Sequence, residues 1–394
     1  MSTFALTELQ QQIRAEADRF CKDKIAPLAA EMDDHESWPD GLFEMLGQQG
    51  YLGLTVPEQY GGQGMSLLDA GLVCEAMHKY NPGVGLSWGA HDNLCVNNIY
   101  ANGTEAQRTT YLPGLCDGTL VGALGLTEPG AGSDALGSMA TTAIRDGDEY
   151  VLNGRKIFIT NGPIADVILV YAKTDLAARA RGISAFILET TTPGFTVAQK
   201  MIKQGFRGSQ TGELVLDDCR VPAENLIGEE NNGVAVVMSG LDIERAFLAL
   251  GPIGMSERCL ELSLEYAGDR RQFDRPIADF QSLQHKLADM WVELEIGRTY
   301  CYRVLEMCGE LEAGGAIRGD IHAHSAAAIL YSAESFTRIA DAAVQIHGGY
   351  GYMWEMEINR LYRATKLLEI GAGTSEIRRN IVFDQLRSGA LGIT

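Results

Sequence analysis

The hydrophobic period of the chain changes twice along its 394 residues, and that double change restricts the fold more than any single motif. Up to about residue 115 apolar side chains recur at helical spacing. Thr7 and Gln10 make a capping box, and Ile13, Ala17, Phe20 and Ile25 follow on one face. Turn-rich pieces such as Pro57-Glu58-Gln59-Tyr60-Gly61-Gly62 break the helical stretches. From about 120 to 225 the pattern becomes short β-branched and aromatic runs at 150–152, 156–160, 167–171, 183–188 and 213–216, which read as strands. Asn153-Gly154 supplies the positive φ of a type I′ hairpin between the first two. No helical segment separates the runs, so the spacing predicts an antiparallel, barrel-like sheet. Helical spacing then returns, with long helices predicted at 234–265, 283–312, 320–346 and 374–388 as a four-helix bundle. Leu287, Met290, Trp291 and Leu294, then Cys301, Val304, Leu305 and Cys308, share a stripe that reads as core packing. The expected fold class is mainly α with a central β domain: residues 1–120 all-helical, 121–233 an antiparallel β-barrel, 234–394 a helical bundle. No internal repeat at a fixed period interrupts this order.

The formal net charge of -20 repels phosphate backbones and anionic membranes, so neither nucleic-acid binding nor membrane insertion is expected. A polyanionic ligand would have to meet local cations. No stretch approaches about 18 uncharged apolar residues. Residues 1–12 carry no secretion or organelle-import pattern, which points to a cytoplasmic, bacterial protein. The eight cysteines (Cys21, Cys74, Cys95, Cys116, Cys219, Cys259, Cys301, Cys308) are scattered without metal-ligand spacing and read as small buried hydrophobes in a reducing compartment. His322 and His324 lie close in sequence, but no metal site is expected.

Two places could carry chemistry. Leu124-Gly125-Leu126-Thr127-Glu128-Pro129-Gly130-Ala131-Gly132-Ser133-Asp134 is glycine-rich, so its backbone can approach a planar or phosphorylated ligand. Such a loop can equally be a plain turn, and it is not the dinucleotide fingerprint, which needs GxGxxG inside a βαβ unit. Gly348-Gly349-Tyr350-Gly351 has the same ambiguity. Asp242, Glu244 and Arg245 lie in an otherwise apolar helix, where charges must be paired or functional. An Asp242 to Arg245 ion pair at i, i+3 with Glu244 at a wet edge is the plain alternative.

Five motifs in order then cover nearly the whole chain: the Thr127-Glu128-Pro129-Gly130-Ala131-Gly132-Ser133-Asp134 run, Phe158-Ile159-Thr160-Asn161-Gly162, Arg270-Arg271-Gln272-Phe273, Gln345-Ile346-His347-Gly348-Gly349-Tyr350-Gly351, and Gly373-Thr374-Ser375-Glu376-Ile377-Arg378-Arg379. Together they resemble the acyl-CoA dehydrogenase family, whose helix, β-barrel and helix-bundle architecture agrees with the pattern above. The resemblance implies FAD as cofactor, its isoalloxazine ring held by Leu124, Leu126, Thr127, Ser133, Phe158, Ile159 and Thr160. Phe158 stands where the family commonly has Trp. Arg270, Phe273, Gln281, Gln345, Gly348, Gly349, Thr374, Ser375 and Glu376 match positions that grip the pyrophosphate and adenine, some from a neighbouring subunit. That implies a homo-oligomer, in this family usually a tetramer built as a dimer of dimers.

Most members carry the catalytic base immediately before the Gly-Thr-Ser motif, where this chain has Ala372. The isovaleryl-CoA and long-chain branches place it on the preceding helix, and Leu241-Asp242-Ile243-Glu244-Arg245 matches them, which implies Glu244 as the base. The 86–97 segment, Met238-Ser239-Gly240-Leu241-Asp242 and Gly371 also resemble the isovaleryl branch. Ser133, Asp242, Arg245, Leu368, Gly371, Ala372 and Gly373 match substrate-contacting positions. Leu368 stands where that branch typically has Tyr, which leaves longer, terpenoid or carrier-tethered acyl chains as an alternative. A non-catalytic acyl-CoA or flavin-binding protein is the alternative of another class. The implied reaction converts a short branched acyl-CoA to the trans-2-enoyl-CoA and passes electrons to an electron-transferring flavoprotein.

Overall fold

A computed structural model describes residues 4–312 and 318–392. The chain is helical through α1 (Glu8–Phe20), α2 (Ala29–His35), α3 (Leu42–Gln48), α4 (Leu67–Tyr80), α5 (Pro82–Gly89), α6 (Asn97–Asn102) and α7 (Glu105–Asp117). The Thr7/Gln10 capping box opens α1 as expected, and Thr104 with Gln107 repeats the device at α7. Strands follow: β1 (Gly122–Gly125), β2 (Thr142–Asp146), β3 (Glu149–Thr160), β4 (Val167–Lys173), β5 (Ile183–Glu189), β6 (Phe195–Lys200), β7 (Thr211–Pro222) and β8 (Leu226–Ile227). Helices resume with α8 (Gly233–Leu248), α9 (Leu250–Asp269), α10 (Gln281–Glu312), α11 (Arg318–His347), α12 (Glu357–Ile370) and α13 (Ser375–Arg387), and the small strands β9 (Arg271–Gln272) and β10 (Arg275–Pro276) lie between α9 and α10.

The sheet order is β6-β7-β3-β2-β4-β5-β8, and β1 adds to β4. β1 runs parallel to β4, with Gly122 opposite Val167, so the sheet is mixed rather than wholly antiparallel. The chain between them, which includes β2 and β3, provides the crossover a parallel pair needs. β4 is buried along nearly its whole length because both its faces are covered: Val167, Leu169 and Tyr171 join one apolar cluster, Ile168, Val170 and Ala172 another.

Asn153-Gly154 does not turn the chain. β3 runs straight through it as one strand with a bulge between Leu152 and Gly154, because β7 pairs on both sides, Val151 with Arg220 and Arg155 with Val215. A Cβ at position 154 would stand 2.8 Å from the Cα of Thr141, which accounts for the glycine there. The hairpin sits instead at Gly147-Asp148, where Asp146 pairs with Glu149 and Gly147 takes φ 64°.

The predicted helix at 234–265 is two helices meeting at Ala249, and α12 was not anticipated at all. The α10 stripe is core at Met290, Leu294, Cys301, Val304, Leu305 and Cys308, but Trp291 faces outward with 55% of its surface exposed. One large apolar cluster joins the N-terminal helices to α8–α12, which ties both ends of the chain into a single support beside the sheet. All eight cysteines are buried. His322 and His324 hold Asp242 and Tyr300 respectively.

Candidate active site

β1 feeds directly into the glycine-rich loop, and its root is held from two sides. The Gly122 N–H donates to His91 Nδ1 at 2.9 Å, while Asn161 Nδ2 donates to the Gly122 carbonyl at 3.1 Å. The loop then lies against β3: the Ile157 N–H donates to the Thr127 carbonyl at 2.9 Å, and Lys156 Nζ reaches the Leu126 carbonyl at 3.3 Å. Lys156 also pairs with Glu128 at 2.8 Å, both buried, and Glu128 accepts from the Ala140 and Thr141 N–H groups. Burial pulls the Lys156 ammonium down to about 8 against the attraction of Glu128. The Glu128 carboxyl lies below its usual range because Lys156 and these hydrogen bonds outweigh its burial. The two segments therefore form one shelf, on which Leu124, Leu126, Thr127 and Thr160 are half-buried while Ser133 is exposed. Phe158 occupies a second bulge, between Lys156 and Ile159, with φ 60° and 64% exposure. A left-handed aromatic residue is strained, and strain of this kind concentrates at functional sites.

The second constellation lies where α8 passes the loop before α13. Asp242 and Arg245 form the i, i+3 ion pair at 3.1 Å, both side chains buried. His322 Nδ1 lies 2.7 Å from the same Asp242 oxygen. Arg245 Nε donates to the Ala372 carbonyl at 3.3 Å, and Arg378 donates to the carbonyls of Leu368 at 2.8 Å and Gly371 at 2.5 Å. These contacts hold a turn in which Ala372 and Gly373 both take left-handed backbone, φ 55° and 94°. Thr374 then caps α13 by accepting from the Ile377 N–H.

Glu244 lies within charge range of the two arginines that hold this turn. Its carboxylate makes no hydrogen bond among the described residues, and burial pushes it up to about 7 against the opposing charges of Arg245 and Arg378. It also acts on Tyr171 of β4, whose fully buried hydroxyl is raised, first by burial and then by Glu244. Glu244 therefore lies between sheet and bundle, half-buried as a residue and with its carboxylate desolvated. A poorly solvated, unbonded carboxylate titrating near neutrality is suited to removing a proton.

Beside α8 opens a cleft of about 640 Å³ lined by Arg181, Asn231, Ala235, Met238, His322 and Gln385, among others. None of these six was singled out from the sequence as a ligand-binding residue. The available signal was charge: a chain this acidic must gather cations where it binds an anion, and Arg179-Ala180-Arg181-Gly182 is one such gathering.

The remaining predicted residues lie elsewhere. Arg270 precedes the β9/β10 hairpin, whose turn residues Phe273 and Asp274 take φ 52° and 62°, a type I′ geometry. Phe273 is 87% exposed at its tip. Gln281 begins α10, while Gln345, Gly348 and Gly349 are exposed at the end of α11. No hydrogen bond, ion pair or ring contact among the described residues joins this group to the Leu124-to-Ser133 shelf. Ser375 is buried, and its hydroxyl has no partner among the described residues. Leu368 lies 1% exposed in the large apolar cluster.

The chain is thus helical, then sheet, then helical, with a glycine-rich shelf on the sheet and a neutral-range carboxylate on α8. Three family models match in succession: the acyl-CoA dehydrogenase N-terminal domain at residues 7–119, the middle domain at 123–219 and the C-terminal domain at 231–386. The chain belongs to the acyl-CoA dehydrogenase family, whose members are FAD-dependent. It is 45% identical to the mitochondrial isovaleryl-CoA dehydrogenase of Oryza sativa subsp. japonica over 98% of this chain and 93% of that protein. It is 46% identical to the one from Pongo abelii over 96% and 88%. Among solved structures, butyryl-CoA dehydrogenase from Megasphaera elsdenii superposes with a TM-score of 0.92 at 39% identity, covering 98% and 99% of the two chains. PigA with FAD and proline does so with 0.92 at 32%, covering 98% and 99%.

Proposed function

We propose that the protein catalyses FAD-dependent α,β-dehydrogenation of a short branched-chain acyl-CoA, isovaleryl-CoA-like, to the trans-2-enoyl-CoA, with Glu244 as the base. The observation that carries this reading is the Glu244 carboxylate, unbonded among the described residues, pushed up to about 7 by burial and within charge range of the arginines that hold a turn in which position 372 is alanine. The identities to the two isovaleryl-CoA dehydrogenases support the substrate class.

The residues present fit FAD. The shelf leaves open space around Gly130 and Gly132, and the buried, unpartnered Ser375 hydroxyl is suited to a ligand group. Leu124, Leu126, Thr127, Ser133, Phe158, Ile159 and Thr160 would hold the ring. Arg270, Phe273, Gln281, Gln345, Gly348, Gly349, Thr374, Ser375 and Glu376 would hold the pyrophosphate and adenine. Because no hydrogen bond, ion pair or ring contact among the described residues joins the Arg270 to Gln281 group to the shelf, we infer that a second copy supplies it, within a homotetramer. Phe273 and the outward Trp291, Val292 and Ile296 of α10 offer apolar surface for such contacts.

Bound FAD supplies the acceptor for the β-hydride. Glu244 takes the α-proton, and its displacement toward neutrality makes it a stronger base than an exposed glutamate. The Ala372 N–H, aimed by the Arg245 and Arg378 hydrogen bonds to the turn, meets the thioester oxygen where enolate charge develops. An alanine at 372 leaves that N–H in place. Ser133, Asp242, Arg245, Gly371 and Gly373 would line the thioester end, with Leu368 buried behind them. The helix rise puts Ala235 about 13 Å along α8 from Glu244, on the scale of a pantetheine arm, so the phosphate-bearing end would fall in the Arg181 cleft. The partner that re-oxidises the enzyme would be an electron-transferring flavoprotein. A cytoplasmic location belongs to the same proposal.

Anaerobic addition of isovaleryl-CoA, with butyryl-CoA and a long straight-chain acyl-CoA alongside, tests the reading through flavin absorbance. Fast bleaching by isovaleryl-CoA alone is expected. Bleaching only by another thioester rejects the substrate, and no bleaching by any rejects the activity.

A further inference from the structure

Arg378 is fully buried, and its hydrogen bonds go to neutral carbonyls rather than to a carboxylate. Nη1 donates to Leu368 at 2.8 Å and Nη2 to Gly371 at 2.5 Å, while Nε is buried without a partner among the described residues. Three carboxylates lie within charge range: Glu244, Glu334 and Glu369. Glu334 is paired with Arg379 and Glu369 with Lys366, whereas Glu244 has no hydrogen bond among the described residues. The residue also sits in the first turn of α13, toward the positive end of that helix, where a cation is disfavoured. A buried guanidinium in such a place needs a compensating role. The Leu368 contact satisfies a carbonyl in the last turn of α12. The Gly371 carbonyl lies beyond that helix, and no other donor among the described residues reaches it.

We propose that Arg378 is a positioning residue for the thioester carbonyl: through the Gly371–Ala372 peptide it aims and polarises the N–H that receives the thioester oxygen. The proposal rests on the dehydrogenase reading above, in which the Ala372 N–H meets that oxygen. The Gly371 carbonyl and the Ala372 N–H belong to one trans peptide, so they point in opposite directions. A guanidinium bonded to the carbonyl therefore fixes where the N–H points. It also draws electron density through the peptide, and a donor polarised in this way makes a stronger hydrogen bond. Arg245 holds the Ala372 carbonyl, which belongs to the next peptide, so it steadies the turn without touching this donor. The charge of Arg378 suits the reaction as well as the geometry. Negative charge starts on the Glu244 carboxylate and develops on the thioester oxygen as the α-proton moves from carbon to that carboxylate. A cation held by carbonyls alone answers the charge at both ends of the transfer, which a cation locked to its own carboxylate would not.

Three variants of the FAD-loaded protein test this. Arg378→Met removes charge and donors, Arg378→Gln keeps an uncharged donor, and Arg378→Lys keeps the charge. The probe is pivaloyl-CoA labelled with ¹³C at the thioester carbonyl, which has no α-hydrogen and so reports binding without reaction. Its carbonyl stretch should fall in frequency on binding the parent, fall clearly less in Met and Gln, and fall nearly as far in Lys. With saturating isovaleryl-CoA, Met and Gln should lose on the order of 10- to 100-fold in kcat, less than the loss of an oxyanion donor outright. The ionisation of Glu244 in kcat/KM adds a second readout. Arg245 on its own helix and Arg378 lower it, with the Tyr171 hydroxyl of β4 also in range. It should therefore move above 7 in Met and Gln and stay near 7 in Lys, an ordering by charge that a merely structural residue would not produce. If Met does not accumulate as folded holoenzyme, Gln carries the same comparison. A folded uncharged variant with the parent's carbonyl shift, or with kcat within twofold, overturns the proposal, as does a Lys variant no better than Gln. If no thioester bleaches the parent, the dehydrogenase reading fails. The carbonyl shift still decides whether Arg378 acts on a bound thioester, and no shift in the parent overturns the proposal.

Discussion

Glu244→Gln removes a charge that the fold disfavours and a base that the proposed reaction needs, and the two losses read out differently. Burial moves the carboxyl from its ordinary 4.5 to about 7, against the pull of Arg245 and Arg378. The folded pKa therefore lies above the unfolded one, so the folded chain holds this proton more tightly. The resulting stability is complete below the ordinary value and is lost as pH rises through 7. At 1.36 kcal/mol per pH unit the shift corresponds to roughly 3 kcal/mol at most, and the partial exposure of Glu244 reduces it. Glutamine has nearly the same shape and cannot ionise. Parent and variant, matched for flavin content, should melt together at pH 5 in a calorimeter, and the variant should melt a few degrees higher at pH 8. In stopped-flow bleaching by isovaleryl-CoA the parent's kcat/KM should rise through one ionisation near 7. The variant should be flat with pH and slower by about 10²- to 10⁴-fold, the usual worth of a positioned base. Equal melting at pH 8, or substantial bleaching by the variant, would refute the reasoning.

Lys156→Met leaves the Glu128 carboxylate buried beside an apolar side chain, which should cost about 3–5 kcal/mol and lower the FAD bound per chain. Adding Glu128→Gln should restore much of the melting temperature. Arg181→Ala should raise KM for an acyl-CoA by on the order of 10-fold, the loss of one charge-assisted hydrogen bond, and leave KM for the matching acyl-pantetheine thioester unchanged in steady-state assays. Phe273→Ala removes an exposed side chain, so circular dichroism should not change. Sedimentation should show smaller species and flavin should be released on dilution if the hairpin completes a neighbour's site.

Features legible in the sequence were those decided within a few residues of themselves. The capping box at Thr7 and Gln10 is one, since its two hydrogen bonds close within one turn. Asn153-Gly154 failed for the opposite reason: its local turn preference lost to β7, which pairs with β3 on both sides of it, and Thr141 took the space a side chain would need. The parallel placement of β1 had no local signal at all, because Gly122-Ala123-Leu124-Gly125 is too short to show a period. α12 had one that went unread, as Ile358, Leu361, Ala364, Thr365 and Leu368 recur at helical spacing and are all buried. Trp291 was assigned to the core because a helical stripe does not say which of its residues meet a partner. At the candidate site, Glu244 and the glycine turn were proposed from motif order, whereas Arg181, Asn231 and His322 come from three separate segments that only the fold assembles.

The alanine at 372 and the glutamate at 244 have one physical explanation. Glu244 already titrates near 7 while Arg245 and Arg378 both lower it, so desolvation is the dominant influence in this pocket. Those cations are committed elsewhere: Arg245 to Asp242 and the Ala372 carbonyl, Arg378 to the carbonyls of Leu368 and Gly371. A second carboxylate on the turn would add a buried charge beside Glu244 in the same poorly solvated space, where Arg378 Nε is a buried donor without a partner among the described residues. Two such groups titrate as a pair, and the second proton is lost only well above the ordinary carboxylate range. The pocket therefore favours a carboxylate on the helix or on the turn, but not on both. Arg378 is pulled down to about 10 by burial and by Arg245 and stays charged near neutrality. Under the proposed reaction, an alanine at 372 leaves Glu244 on α8 without a competing carboxylate, while the two guanidinium groups hold the backbone of the turn and draw the Glu244 pKa down.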